Sequence, residues 1–365
     1  MNETKKDGAE TMWVNIAGRR IGPGEPTYIV AEMSGNHNGD INRALQILDM
    51  AKKAGADAVK LQTYRADTIT IDHNGPEFML NGGLWDGRRL YDLYEEAHTP
   101  WEWHAAIFEH AKQIGITVFS SPFDPTSVDF LENLGAPAYK IASPELIDLP
   151  LIQLVAKTGK PIVMSTGMAT LEEIEEAIAA AHQGGATEII ILHCTSAYPA
   201  PIEESNLATI SEIARRFSVV VGLSDHTPGT VTSIAAVSLG ASFIEKHFTL
   251  SRADGGVDSS FSLEPAELSE LVTSARMAQN AIGSPAFEPT QSEQQVLKNR
   301  RSLYAVTSIA KGELFSEENV RSIRPGYGLK PKYLYSILGR QATRNINFGE
   351  PLDFSMIEGG ECSEI

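Results

Sequence analysis

The chain has 365 residues, 42% of them hydrophobic, enough to bury one large core and one small one. Its 30 Lys and Arg against 47 Asp and Glu leave a formal charge of −17, which excludes nucleic acid and anionic membrane surfaces as general partners. An anionic substrate must therefore be attracted by charge built locally.

The two cysteines, Cys194 in an apolar run and Cys362 in a polar tail, are poorly placed for a disulfide and fit a reducing compartment. Residues 1–12 are polar and lack the apolar stretch of a secretory signal. No run approaches the roughly 20 apolar residues of a membrane span. A soluble, cytoplasmic protein is expected.

Residues 28–33 read as a strand entering the turn-forming stretch 34–39. Asp40 is placed to cap a helix whose apolar residues Ile41, Leu45, Leu48 and Ala51 recur at helical spacing as far as Gly55. The next strand is 58–63. Apolar runs at 117–122, 138–143, 161–166, 188–195, 218–223 and 241–244 continue the series. Helical segments near 100–114, 124–134, 150–158, 171–183, 205–216 and 229–239 separate them, and 264–282 adds one more. Eight strand–helix pairs in about 280 residues predict an α/β fold, a (β/α)8 TIM barrel, with a doubly wound open sheet as the minor alternative.

The connection 64–99, with a short helical piece at 90–97, breaks this rhythm. Loops so long in a compact domain are usually functional, and in barrels they sit on the catalytic rim. The expected organisation is a barrel over 14–282, a linker over 283–299 and a small domain over 300–358. In that small domain 300–306 reads as a strand, 311–313 as a turn, and 338–356 as further short strands.

Residues two apart on a strand share a face, so Lys60 pairs with Gln62, Ser224 with His226, and Glu245 with His247. His226 and His247 fall at or just past the ends of neighbouring parallel strands joined by one helix. Two imidazoles so placed suit a divalent metal with positions left open, or else two hydrogen-bonded structural histidines. Lys60 and Lys140 lie inside strands that read as buried, where an unpaired ammonium is costly. An internal carboxylate could satisfy either lysine. With Ser121, Ser143 and Ser165 at other strand ends, a phosphate could do so too, and a Schiff-base lysine is a third use. Glu32 and Asp258 are candidate acids or bases, with capping and turn roles as the plainer readings. Tyr198, Trp101 and Trp103 form either the apolar wall of a sugar site or core.

In order, Asn36-His37 after Glu32, Lys60-Leu-Gln62, Ser121-Pro-Phe123, Tyr139-Lys-Ile-Ala-Ser143, Met164-Ser-Thr-Gly-Met168, His193-Cys-Thr-Ser196, Gly222-Leu-Ser-Asp-His226 and Glu245-Lys-His-Phe-Thr249 resemble the sialic acid synthase family. Arg324-Pro-Gly-Tyr-Gly328 resembles the antifreeze-like SAF module that follows the barrel there. Within the family, Leu84-Trp-Asp-Gly-Arg-Arg-Leu-Tyr-Asp-Leu-Tyr94 and Asp254-Gly-Gly-Val-Asp-Ser259 look like the pseudaminic acid synthase branch. The neuraminate branch usually carries His in place of Tyr64 and Asn in place of Ser196.

The resemblance implies condensation of phosphoenolpyruvate with a diacetamido-trideoxy hexose. Lys60, Ser121, Lys140, Ser143, Ser165, Ser196 and Ser224 would cradle phosphoenolpyruvate, and His226 with His247 would hold Mn2+, Mg2+ or Co2+. Gln62, Phe123, Glu145, Tyr198 and Arg324 would contact the sugar, and Glu32 and Asp258 would move protons or hold it. It also implies a domain-swapped homodimer whose SAF module caps the partner's site. A lysine-dependent aldolase, a legionaminate or N-acetylneuraminate synthase, and a non-enzymatic carbohydrate- or ice-binding protein are the rivals.

Overall fold

Eight parallel strands close into a barrel in the computed structural model, which describes residues 12–360. Most of the polar amino-terminal segment and Cys362 therefore lie outside the described residues. The chain parts into two compact units between Gly283 and Ser284.

The first unit opens with a hairpin of β1 (Val14–Ile16) and β2 (Arg19–Ile21). The barrel strands are β3 (Tyr28–Glu32), β4 (Ala58–Thr63), β5 (Thr117–Pro122), β6 (Tyr139–Ile141), β7 (Ile162–Ser165), β8 (Ile189–Cys194), β9 (Val220–Asp225) and β10 (Phe243–His247), with β10 pairing β3 to close the ring. Helices follow the strands, and their starts are chemically marked. Asp40 accepts from the Asn42 amide at 2.8 Å ahead of the helix Ile41–Ala54, and Asp124 accepts from Thr126 at 2.7 Å ahead of Pro125–Leu134. Among the described residues no helix is long and apolar enough to cross a membrane.

The alternation of each strand builds two cores. Outward residues such as Ile29, Ala31, Val59 and Ile191 pack under the helices. Inward residues Tyr28, Val30, Phe119, Val163, Ile190 and Phe243 fill the barrel, and Val14, Ile16 and Ile21 of the hairpin join them and seal the amino-terminal end. Gly222 faces this interior where a Cβ would lie 2.2 Å from the Phe243 carbonyl oxygen, so the packing admits only glycine.

Several boundaries differ from the sequence expectation. Strands β9 and β10 continue past 223 and 244, through Asp225 and His247, because their polar residues find buried partners instead of ending the sheet. Lys246 and Asp225 are register partners on the outer face, with Lys246 Nζ 2.9 Å from the carboxylate and donating to the Thr227 carbonyl at 2.5 Å. Strand β6 stops at Ile141 because a 3-10 turn begins at Ser143 with Pro144. In the second unit β11 (Ser302–Ala305) pairs antiparallel with β12 (Val320–Ile323), a strand whose Val-Arg-Ser-Ile sequence carries little β signal. The strands expected within 338–356 reduce to isolated bridges such as Ile309 to Ile346 and Leu314 to Gln341. The unit's core is Leu303, Ile309, Phe315, Val320, Ile346 and Met356 with their neighbours.

The Asp225–Lys246 pair is 3% and 1% exposed, so removing one partner strands the other charge without water. Asp225→Ala should lower the unfolding free energy by about 3–5 kcal/mol in urea titrations. A loss under about 1 kcal/mol, the worth of a solvated pair, would contradict this account.

Candidate active site

Alternation points Glu32, Lys60, Gln62, Ser121, Lys140, Ser165, Ser224, Glu245 and His247 inward at the carboxyl end of the barrel. Register then sets them side by side: Glu32 is the partner of both His247 and Lys60, and Glu245 of Ser224. Lys60 Nζ lies 3.0 Å from Glu32 and 3.4 Å from Glu245, and donates to Ser121 Oγ at 3.4 Å. Lys140 Nζ is 3.6 Å from the same Glu245 oxygen, to which Ser224 Oγ donates at 3.1 Å. Gln62 donates to Glu32 at 3.1 Å.

Both lysines are thus held by internal carboxylates. The central acceptor, Glu245, is absent from the site residues chosen from sequence, although its inward face beside His247 was the signal that could have found it.

Burial governs how these groups titrate. It raises the Glu32 carboxyl to about 7, with Lys60 opposing and Glu245 adding to the rise. Glu245 is buried too, but Lys140 and Lys60 outweigh the desolvation and hold it below the ordinary carboxylate value. Burial lowers Lys140, offset only in part by Glu245 and reinforced by Lys60. Burial opposes the Lys60 ammonium as well, yet Glu245 and Glu32 keep it above the usual lysine value. An ammonium so stabilised is a poor Schiff-base nucleophile, which disfavours the aldolase reading at Lys60.

The expected serines surround this cluster. Ser165 Oγ is buried with no hydrogen-bond partner, a hydroxyl free to meet a ligand oxygen. Ser143 and Ser196 face each other across Gly167, where an added Cβ would lie 2.5 Å from each hydroxyl. Gly167 also has φ +33, so its missing side chain leaves room between the two hydroxyls.

The two imidazoles stand at the same mouth with ring centroids 5.4 Å apart. His226 Nδ1 lies 3.0 Å from the Thr195 carbonyl, which fixes Nδ1 as donor and frees Nε2. His247 Nδ1 is buried without a partner, and burial, followed by the His226 charge, drives its pKa well below the usual histidine value. A neutral imidazole beside another with a free nitrogen fits a divalent ion. Among the described residues no group of three or more His, Cys, Asp or Glu could hold one, so any further ligands would be water or substrate. Burial disfavours charge on His226, but Cys194 3.8 Å away raises its pKa. Burial likewise works to raise the Cys194 thiol, while His226 and Ser143 bring it down to about 7.

Above this floor opens a cavity of about 290 Å³ lined by Gln62, Phe123, Glu145, Tyr198, His247 and Asp258 among others. Asp258 accepts from Ser34 Oγ at 2.5 Å and the Gly35 amide at 3.3 Å, and burial raises its pKa despite both. Burial raises Glu145 to about 7, and its Oε2 is unpartnered. Tyr198, before a cis proline, packs on His226 at 4.4 Å.

Trp101 and Trp103 do not line the cavity, contrary to one sequence reading. Trp101 stacks on Phe130, and Trp103 packs against the barrel core and the edge of His37. Trp85, Tyr64 and Tyr94 line the cavity instead, aromatics that sequence reasoning did not place there. Arg324 lies in the second unit, exposed beside a cis proline.

The NeuB family model matches residues 47–286, and a SAF domain matches 300–358. The chain is 46% identical over 328 residues to the pseudaminic acid synthase of Campylobacter jejuni, covering 89% of this chain and 95% of that protein. It is 42% identical over 337 residues to the pseudaminic acid synthase of Helicobacter pylori, covering 92% and 98%. The crystal structure of N-acetylneuraminic acid synthetase from Leptospira borgpetersenii in complex with citrate superposes with a TM-score of 0.71 at 30% identity, covering 79% of this chain and 95% of that one.

Glu32 and Glu145 both titrate near 7, so raising the pH through neutrality adds negative charge to the mouth. Affinity for a permanent anion such as sulfate should therefore fall between about pH 6 and 8. Glu145→Gln removes one of the two charges, and its Kd for sulfate should rise less across that range than the wild type's. Identical pH dependence in both proteins would show that Glu145 does not ionise there.

Proposed function

The chain belongs to the NeuB family, and on that premise we propose that its barrel condenses phosphoenolpyruvate with open-chain 2,4-diacetamido-2,4,6-trideoxy-β-L-altropyranose and water, giving pseudaminic acid and phosphate. One observation supports this most: the two-lysine, two-glutamate cluster lies directly beside the imidazoles, Glu32 being the register partner of both Lys60 and His247. An anionic enol donor and a carbonyl acceptor need that adjacency to meet.

The donor's phosphate and carboxylate are assigned to Lys60, Lys140 and the hydroxyls of Ser121, Ser143, Ser165, Ser196 and Ser224. An incoming anion competes with Glu245 for both ammonium groups, so the carboxylates that hold the lysines also keep them from binding anions indiscriminately. The donor's methylene carbon bonds to the acceptor aldehyde carbon, whose oxygen takes up a proton. Water then adds to the donor's central carbon, and the resulting adduct releases phosphate by carbon–oxygen cleavage.

Glu32, with a pKa of about 7, can hold a proton at neutral pH and exchange it with a reacting oxygen. Asp258, fixed by Ser34 and Gly35, shares the proton handling or the grip on the sugar. A divalent ion such as Mn2+, Mg2+ or Co2+, held by His226 and His247, would orient and polarise the aldehyde. Gln62, Phe123, Glu145 and Tyr198 face the acceptor, and Arg324 is assigned to it from the second unit of a partner subunit in a domain-swapped homodimer. A cytoplasmic location completes the proposal.

Phosphate release measured with phosphoenolpyruvate and each of three acceptors should favour the trideoxy altrose over the legionaminate and neuraminate precursors. Preference for either rival would transfer the chain to that branch. With only two protein ligands there is no redundancy, so His226→Ala should lose the ion in equilibrium dialysis and retain less than about 1% of activity. Undiminished ion binding in that variant would remove His226 from the site.

A further inference from the structure

The cavity over the site has two unlike walls. Its floor is polar, with Gln62, Glu145, His247 and Asp258, whereas Ile69, Leu80, Trp85, Leu90, Leu93 and Tyr94 face it from above. All six of these come from the long connection that follows β4. Apart from the Tyr94 hydroxyl and the Trp85 indole nitrogen, they present hydrocarbon. That nitrogen is already committed, donating to the Val257 carbonyl at 2.9 Å.

The wall is built and braced. Leu80 and Arg88 are tied by backbone hydrogen bonds, the amide of Leu80 donating to the carbonyl of Arg88 at 2.8 Å and that of Gly87 returning to Leu80 at 2.8 Å. Arg89 pairs with Asp92 and with Asp72 at 2.6 Å, and Arg88 pairs with Glu96. Trp85 crosses from this segment to the loop after β10 through Val257 and reaches Tyr198, after β8, at 5.5 Å between ring centroids. It therefore joins three rim loops over the mouth. Nothing in the proton handling or the donor cradle uses this surface.

We propose that the 64–99 segment, with Trp85 at its centre, determines acceptor specificity by receiving the end of the sugar that carries a methyl group where other hexoses carry a hydroxyl. The inference rests on the proposed function and deepens it. A methyl against this wall loses water and gains contacts. A hydroxyl against the Ile69, Leu80, Leu90 and Trp85 carbons would leave its water partners and meet no acceptor among them, the indole N–H being itself committed to the Val257 carbonyl. Discrimination of this kind between a deoxy sugar and its hydroxylated counterpart is on the order of 10- to 100-fold in kcat/KM.

The test compares the 2,4-diacetamido-2,4,6-trideoxy acceptor with its 6-hydroxy counterpart, matched at every other carbon, for the wild type, Trp85→Ala and Ile69→Ser. Each protein's KM for phosphoenolpyruvate is measured alongside. Wild type should prefer the deoxy sugar by at least about tenfold. Either substitution should shrink that preference severalfold, mainly through the deoxy sugar's KM, while the phosphoenolpyruvate KM stays put. Ile69→Ser adds a hydroxyl without disturbing the Trp85 tether, so it keeps the test open if Trp85→Ala misfolds. An equal fall for both sugars, or an unchanged ratio in both variants, would overturn the assignment. Absence of turnover by the wild type with either sugar would instead defeat the proposed function itself.

Discussion

A single carboxylate organises the barrel interior. Glu245 stands between Lys60 and Lys140, and without it two ammonium groups would share a nearly dry space, each adding to the other's desolvation cost. Glu32 supplies a second partner for Lys60, and the barrel can be closed around the cluster. The same arrangement readies the site for an anion, because two cations are already desolvated and oriented before a ligand arrives. Their partners are carboxylates that a phosphate or carboxyl group can partly replace.

The strands carry this chemistry on one face and its support on the other. On β9 and β10 the inward Ser224, Glu245 and His247 alternate with the outward Asp225 and Lys246, whose buried ion pair ties the two strands together behind the imidazoles. The Lys246 ammonium also grips the Thr227 carbonyl, just past His226, so the backbone that presents one imidazole is anchored by the strand that presents the other. Polar residues that would ordinarily end a strand instead lengthen these two.

Above the charged floor the character changes within one cavity. The connection after β4 supplies hydrocarbon, and the loops after β8 and β10 meet it through Tyr198 and Val257. Division of labour follows from this: the strand ends carry the charged and imidazole groups, and one braced loop carries the apolar surface that faces them. Such a loop can change its side chains without disturbing the barrel beneath.

The sequence by itself determined the barrel, since period-two runs, helical spacing and cap residues are local signals that repeat eight times and leave few topologies open. It also placed His226, His247, Lys60, Lys140 and the serines at one rim, because alternation from a strand end is arithmetic. Only the tertiary structure decided what each buried charge pairs with. Glu245 meets Lys60 and Lys140 from distant strands; alternation turns it inward beside His247, but nothing local says which cations it meets there. Tertiary closure likewise chose Trp85 over Trp101 and Trp103 for the wall. The latter two sit on a helix that turns them toward Phe130 and the core, while Trp85 finds its carbonyl across the mouth. Pairing and closure depend on distances between segments remote in the chain, and those distances exist only once the barrel has formed.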